Sequence, residues 1–446
     1  MMEILSNAAA AVQGIFQNSH QLKAQWQRID CPPLPRSSHS LSVVAGRAYI
    51  FGGEINPREP VDNDMHIITL PTASEIAQAD YRAIPARQQA PSSGVPEKRV
   101  GHSAAVIGDR IFIFGGRGGK DMIPLEENGR VWIYNTRTDA WTYLDPMPGT
   151  PYPTARSYHS SLAIEKPEPR VKIVKTDNVL DDTQIGKTAE AALTDEQGGG
   201  HGTFFVHAGC PATGRTNDLW AFDVMSRTWK EYPTAPGNPR GGTSIAISKQ
   251  RIYRYGGFNG EKEEGGQVDI LELQLTTFTG TGSSNEISVS AKGDWQTLDL
   301  TEEDMLRPGN RSVAGLQTIS TGRGREYLIL FLGERDPSTD GHAGAGKFWD
   351  DVWAFQCPPQ GMTAASFDHA TRQALGKETG EGLWTQIEVA DAGGLQGEYL
   401  KPLIPGGRGW FGSSSMGDLD ASGIVLWGGL NNLNERIPDG WILRIE

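Results

Sequence analysis

Apolar and polar residues alternate along this 446-residue chain in short runs with period two, the signature of half-buried β-strands. The runs recur as a unit. An arginine stands a few residues before an alternating strand, a tight turn follows, and a second, more apolar strand runs into a glycine pair. RSSHSLSVVAGRAYIFGG (36–53) and RVGHSAAVIGDRIFIFGG (99–116) are the cleanest copies. A third opens with RSYHSSLAI at Arg156 and resumes, after a long insertion, as GTFFVHAGC up to Cys210. Three more open at Arg240, Arg311 and Arg408, the last ending in GIVLWGG. Past each glycine pair comes a third strand, such as VWIYN (131–135), DLWAFD (218–223) or DVWAFQ (351–356). A fourth then begins on an aromatic, as in WTYL (141–144), WKEY (229–232), WQTLDL (295–300) and WTQIEV (384–389); YRAI (81–84) takes this place in the first unit. Units of four antiparallel strands bury their faces only by stacking on one another, which predicts an all-β, six-bladed β-propeller.

The sixth unit ends at WILRIE (441–446) without a fourth strand, and WQRID (26–30) stands alone before the first. The strand around Trp26 is therefore expected to complete the last blade and close the ring, removing the edges an open array would expose. Residues 1–25, rich in alanine, read as a helical or partly disordered segment outside a propeller spanning 26–446. The stretches 165–201 and 277–293 read as polar hairpin extensions, and 358–383 as an insertion carrying a short surface helix.

Composition supports this reading and narrows the function. Glycine (55) and proline (27) suit many strands joined by tight turns. A net charge of −13 argues against nucleic acid or an anionic membrane as partner, and no apolar run reaches transmembrane length. Three widely spaced cysteines, Cys31, Cys210 and Cys357, make a disulfide framework improbable, and with a poor signal sequence at the start they point to the cytoplasm.

The arginine, double-glycine and aromatic pattern resembles kelch repeats from Trp26 onward. FLGERDPSTDGHAGAGKFWDDVWAF (331–355), with RPGNRS (307–312), resembles the fifth blade of plant nitrile-specifier and epithiospecifier proteins. That resemblance implies action on a small, unstable, anionic sulfated intermediate, assisted by Fe(II). The family's iron motif, Glu-x3-Asp-x3-His, falls here on Glu334, Ser338 and His342, with serine at the middle position. Its sulfate-holding arginines fall on Arg99 and Arg156, with Arg36 behind them.

From the residues themselves, Glu334 and His342 are the candidate catalytic pair, either as metal ligands or as a general acid and base. His342 is favoured because its loop has no repeat counterpart. Glu54 occupies the same post-glycine position in blade one as Glu334 does in blade five, and Trp410 is a candidate apolar wall. Six arginines around one channel mouth would repel each other unless carboxylates intervene. Glu54, Asp62, Asp64, Asp218, Glu334 and Asp351 are the expected partners, leaving Arg99 and Arg156 to hold the anion. His39, His102 and His159 are expected to pack between blades. A non-catalytic scaffold, docking a protein partner on its loop face, is the competing function.

Overall fold

The computed structural model describes residues 22–71, 79–167, 200–279, 285–301, 306–321, 324–341, 344–359, 380–390 and 404–446. The segment before Leu22 and most of the 165–201 and 358–383 insertions lie outside these residues. Six antiparallel sheets stand as blades around a central channel. Blade one runs outward through Ser40–Val44, Arg47–Phe51, Met65–Thr69 and Tyr81–Ile84. The other blades repeat this order, and the innermost strands of neighbouring blades contact each other around the axis. In blade four the third strand, Gln267–Thr279, overshoots its partners and pairs with Asn285–Ala291 as a hairpin extension.

Lys23–Ile29 pairs antiparallel with Gly440–Ile445, placing Trp26 opposite Leu443, so the N-terminal strand does complete blade six. The sequence pattern did not reveal that Glu388–Ala390 then adds in parallel to the outer edge of Lys23–Ile29 and covers it. Between blades the core is aliphatic and aromatic. Trp141 packs on Phe51 at 4.8 Å between ring centroids, and Trp229 packs on Phe114 at 5.3 Å.

The repeat arginines and glycines hold this arrangement together. Each arginine is buried. In each blade its Nη1 donates to the carbonyl at the end of the second strand, Gly52, Gly115, Ala208, Gly256, Leu332 or Gly428, at 2.9–3.1 Å. The arginine's own carbonyl accepts from the second glycine of the preceding blade: Gly53 N–H donates to Arg99 at 2.9 Å, Gly116 to Arg156 at 2.8 Å, and so on round to Gly429 to Arg36 at 2.9 Å. The first glycine is needed for space. A Cβ on Gly52 would come within 2.7 Å of the Arg99 carbonyl and 2.8 Å of the His102 ring, at a φ of +65°.

Candidate functional site

Where the innermost strands begin, the backbone forms a closed circuit. The residues two after each repeat arginine are Ser38, Gly101, Tyr158, Gly242, Val313 and Trp410, all with φ between 46° and 65°. Each amide donates to the carbonyl of its counterpart in the preceding blade. Gly101 donates to Ser38 at 2.9 Å, Tyr158 to Gly101 at 2.7 Å, Gly242 to Tyr158 at 2.8 Å, Val313 to Gly242 at 2.7 Å and Trp410 to Val313 at 3.3 Å. Ser38 closes the loop on Trp410 at 2.7 Å. Four of the six are not glycine, and Val313 is β-branched, so the left-handed backbone is strained there. The Tyr158 ring meets Trp410 at 5.2 Å in a T-shaped contact, linking blades three and six. A Cβ on Gly101 would lie 2.5 Å from that ring.

Beside this belt is a cavity of 410 Å³, a volume suited to a small molecule. Its wall is built from the residue after each glycine pair or its remnant: Glu54, Arg117, Cys210, Phe258, Glu334 and Leu430. Each is bridged to the residue following its own repeat arginine, as Ser37 to Glu54 and Ser312 to Glu334. One wall position per blade therefore sits on a common backbone frame, and the side chain alone varies.

The expected anion-binding arginines are not at this cavity. Arg99 gives both Nη atoms to Glu127 at 2.8 and 2.9 Å, and Arg156 gives both to Asp218 at 2.6 and 2.8 Å. Arg36 lies 3.6 Å from Asp62 and also contacts His66. Arg311 and Arg408 pair with Asp351 and Asp439. Both guanidiniums are buried, held by a bidentate carboxylate and by backbone carbonyls, and absent from the cavity wall, so neither Arg99 nor Arg156 is placed to hold an anion there. Asp218 and Asp351 are fixed in turn by the indole N–H two residues on, from Trp220 and Trp353. His102 and His159 pack edge-on against Phe51 and Phe114, and burial holds His39, His102 and His159 well below the usual imidazole range, keeping them neutral.

Glu54, Glu334, Ser338 and Trp410 all line the cavity, whereas His342 lies outside the described residues. Glu54 does not pair with a repeat arginine: its Oε1 accepts from Arg436 Nη2 at 2.8 Å and its Oε2 from the Arg58 amide at 2.7 Å. Glu334 has no cationic partner among the described residues. Burial pushes its carboxyl up to about 7, with Trp410 drawing it partly back. Glu263, on the neighbouring blade-four hairpin, is pushed up to about 8 by burial and then by the Glu334 charge.

Sequence reasoning missed Arg117, Arg215, Tyr158 and Glu263. Arg117 and Arg215 line the cavity, and neither has a carboxylate at ion-pair distance among the described residues, although the Arg215 charge acts on Glu263. Arg117 Nε donates to Ser157 Oγ at 2.9 Å and its Cζ lies 5.0 Å from the Tyr158 ring centroid; Arg215 lies 5.0 Å from that of Phe258. Aligning the post-glycine column across all six units would have exposed Arg117. Arg215 and Glu263 carry no repeat signal. The donors offered near Glu334 are oxygens, and no three His, Cys, Asp or Glu side chains converge as a metal centre among the described residues. The described residues alone thus do not assemble the carboxylate–imidazole iron site implied by the Glu334–His342 spacing.

Several known proteins are similar to this chain. The family model described as the KLHDC2/KLHL20/DRC7 Kelch-repeats domain matches residues 16–168. The N-(sulfonatooxy)prop-2-enimidothioate sulfolyase of Thlaspi arvense is 21% identical over 436 residues, covering 95% of this chain and 98% of the relative. Kelch domain-containing protein 3 of Homo sapiens is 26% identical over 261 residues, and the match spans 55% of each protein. The solved structure of YjhT superposes with a TM-score of 0.53 at 12% identity, over 93% of this chain and 99% of its own. Arginine and glycine pair, or its remnant, recur six times and a single N-terminal strand closes the ring: the chain is a six-bladed, kelch-type β-propeller, with residues 16–168 matched by the kelch-repeats model.

Proposed function

We propose that the protein binds and acts on a small, unstable, anionic intermediate carrying a sulfate or sulfur group, in the cavity beside the Tyr158–Trp410 contact. The observation that carries this reading is the pair Arg117 and Arg215, two guanidiniums on the cavity wall with no carboxylate at ion-pair distance among the described residues. A guanidinium suits tetrahedral oxyanions through parallel N–H donors, and two of them stabilise a sulfate as it leaves with the electron pair of the broken bond. Likeness to the sulfolyase, whose named substrate bears an N-sulfonatooxy group, supports the same class of ligand. Tyr158, Phe258 and Trp410 supply apolar walls for the remainder of the molecule.

Sulfate should raise the melting temperature of the wild-type protein, and the shift should vanish in Arg117→Ala and Arg215→Ala. The same variants should lose sulfate release from a freshly generated N-sulfonatooxy imidothioate. Equal thermal shifts in all three proteins would sink the anion pocket.

A second reading, a scaffold for a protein partner, is favoured by Ile55, Ile123 and Leu433. They are 44%, 60% and 70% exposed on the post-glycine hairpins of blades one, two and six, which are consecutive in the ring. Their replacement by serine would leave sulfate binding intact and abolish a partner interaction.

A further inference from the structure

The cavity ends abruptly at the backbone belt. Five belt residues line it, Ser38, Tyr158, Gly242, Val313 and Trp410, but no described residue of any innermost strand does. Those strands are nevertheless half-buried in places rather than buried throughout. Ser103 to Val106 in blade two, Ser160 and Ser161 in blade three, and Ser413 to Ser415 in blade six keep part of their surface exposed. Each innermost strand is flanked by another on either side, so this exposure comes from the central channel. Cavity and channel are therefore two compartments on one axis, and the belt lies between them.

Two side chains make the partition. Blades three and six stand opposite each other in the ring, so the T-shaped contact of Tyr158 with Trp410, at 5.2 Å between centroids, spans the axis. Smaller belt residues leave room for the rings. Blade one has Ser38, and blade two has Gly101, where a Cβ would lie 2.5 Å from the Tyr158 ring. Blade four has Gly242, and the space of its missing side chain is filled by Val313, whose Cγ1 would lie 2.8 Å from a Cβ there. Arg117, with its Cζ 5.0 Å from the Tyr158 ring centroid, stands directly against this pair. A ligand held by Arg117 thus has the two rings as its next neighbours toward the channel.

We infer that Tyr158 and Trp410 are the specificity-determining floor of the cavity: they stop a bound molecule at the belt, so the site takes compact ligands and rejects extended ones that would thread the axis. The inference rests on the proposed anion pocket only for the charged end of the ligand, since the floor is a property of the two rings. An apolar tail longer than the cavity must turn back toward the mouth and remain in water. With the floor removed, the same tail runs on into the channel and is buried.

Alkyl sulfates are the probe, butyl against octyl, titrated into the full chain by calorimetry, and the ratio of octyl to butyl affinity is the reading. Trp410→Gly removes one ring and suits the left-handed backbone, as Gly101 and Gly242 do; Trp410→Ser copies Ser38 and provides a second opening. Either should raise the ratio about tenfold over wild type, each methylene newly buried contributing up to about fourfold. Phe258→Ala, which widens the cavity above the belt, should raise it far less. The alcohols n-butanol and n-octanol repeat the comparison without a charged end. Equal ratios in wild type and both Trp410 variants, an equal rise in Phe258→Ala, or no binding of any probe to the Trp410 variants would overturn the floor. Alcohol ratios that rise while no alkyl sulfate binds wild type would uphold the floor and remove the anion pocket, so the two readings fail separately.

Discussion

Glu54 and Glu334 occupy the same place in blades one and five, yet their chemistry differs. Both follow the second glycine, both bridge to a serine after the repeat arginine, and both open a short bulged hairpin. Glu54 is neutralised by Arg436 and the Arg58 amide. Glu334 has no such cation among the described residues; burial pushes its carboxyl up to about 7, and its charge in turn raises Glu263. The repeat delivers a backbone position, and the neighbouring blade decides whether the carboxylate there is paired with a cation or left without one.

The largest test of this contrast is Arg436→Ala. It leaves Glu54 buried without its cation and should destabilise the protein by about 3 kcal/mol in urea unfolding at pH 7. Adding Glu54→Gln should recover much of the loss. A destabilisation well under 1 kcal/mol would mean that the pair does not hold this corner.

The blade-five corner should respond to pH. Both Glu263 and Glu334 titrate higher in the fold than in the unfolded chain, so each favours folding while protonated. Their contribution is full below the ordinary glutamate range near 4.5 and is lost as pH rises through about 7 and about 8. Wild type should therefore lose roughly 2–3 kcal/mol relative to Glu263→Gln between pH 5 and pH 9. Parallel pH profiles for the two proteins would contradict the coupling.

The smallest effect concerns the belt beneath the two glutamates. Val313 and Ser38 hold equivalent left-handed positions, at φ of 46° and 57°. Relief of strain in Val313→Gly should offset the added entropy of the unfolded chain and stabilise by about 0.5–1 kcal/mol, whereas Ser38→Gly should change stability less. Calorimetry on both variants separates them.

The fold was legible because its signals are repeated. Six arginines, their glycine pairs and the aromatic that opens strand four can be aligned by eye, and the lone strand around Trp26 announced how the ring closes. The arginines also misled. Their regular recurrence was a mark of structural work, done by guanidinium donors to a carbonyl and, in most blades, a carboxylate, and it keeps Arg99 and Arg156 off the cavity wall. Asp62, Asp218 and Asp351 were foreseen as partners; Asp439 stands two residues before Trp441, as Asp218 and Asp351 stand before Trp220 and Trp353, and was equally legible, whereas Glu127 lies five residues before Trp132 and was not. Glu334 and Glu54 stood out by position. Arg215 and Glu263 did not, since each reaches the site from a hairpin or connection whose length follows no repeat, and only the fold brings them to it.

The belt through Ser38, Gly101, Tyr158, Gly242, Val313 and Trp410 also bears on how the molecule assembles. Five of its hydrogen bonds link units that follow one another along the chain, but the bond from Ser38 to Trp410 joins residues nearly the whole chain apart. That contact carries the steepest loop-closure entropy of the set, so the circuit should close last, after the intermediate blades have docked in order. Until then the innermost strand of blade one has no neighbour on one side. The assembling chain would pass through a stage in which an exposed strand flank is open to association with other molecules, and a single late event would remove that hazard.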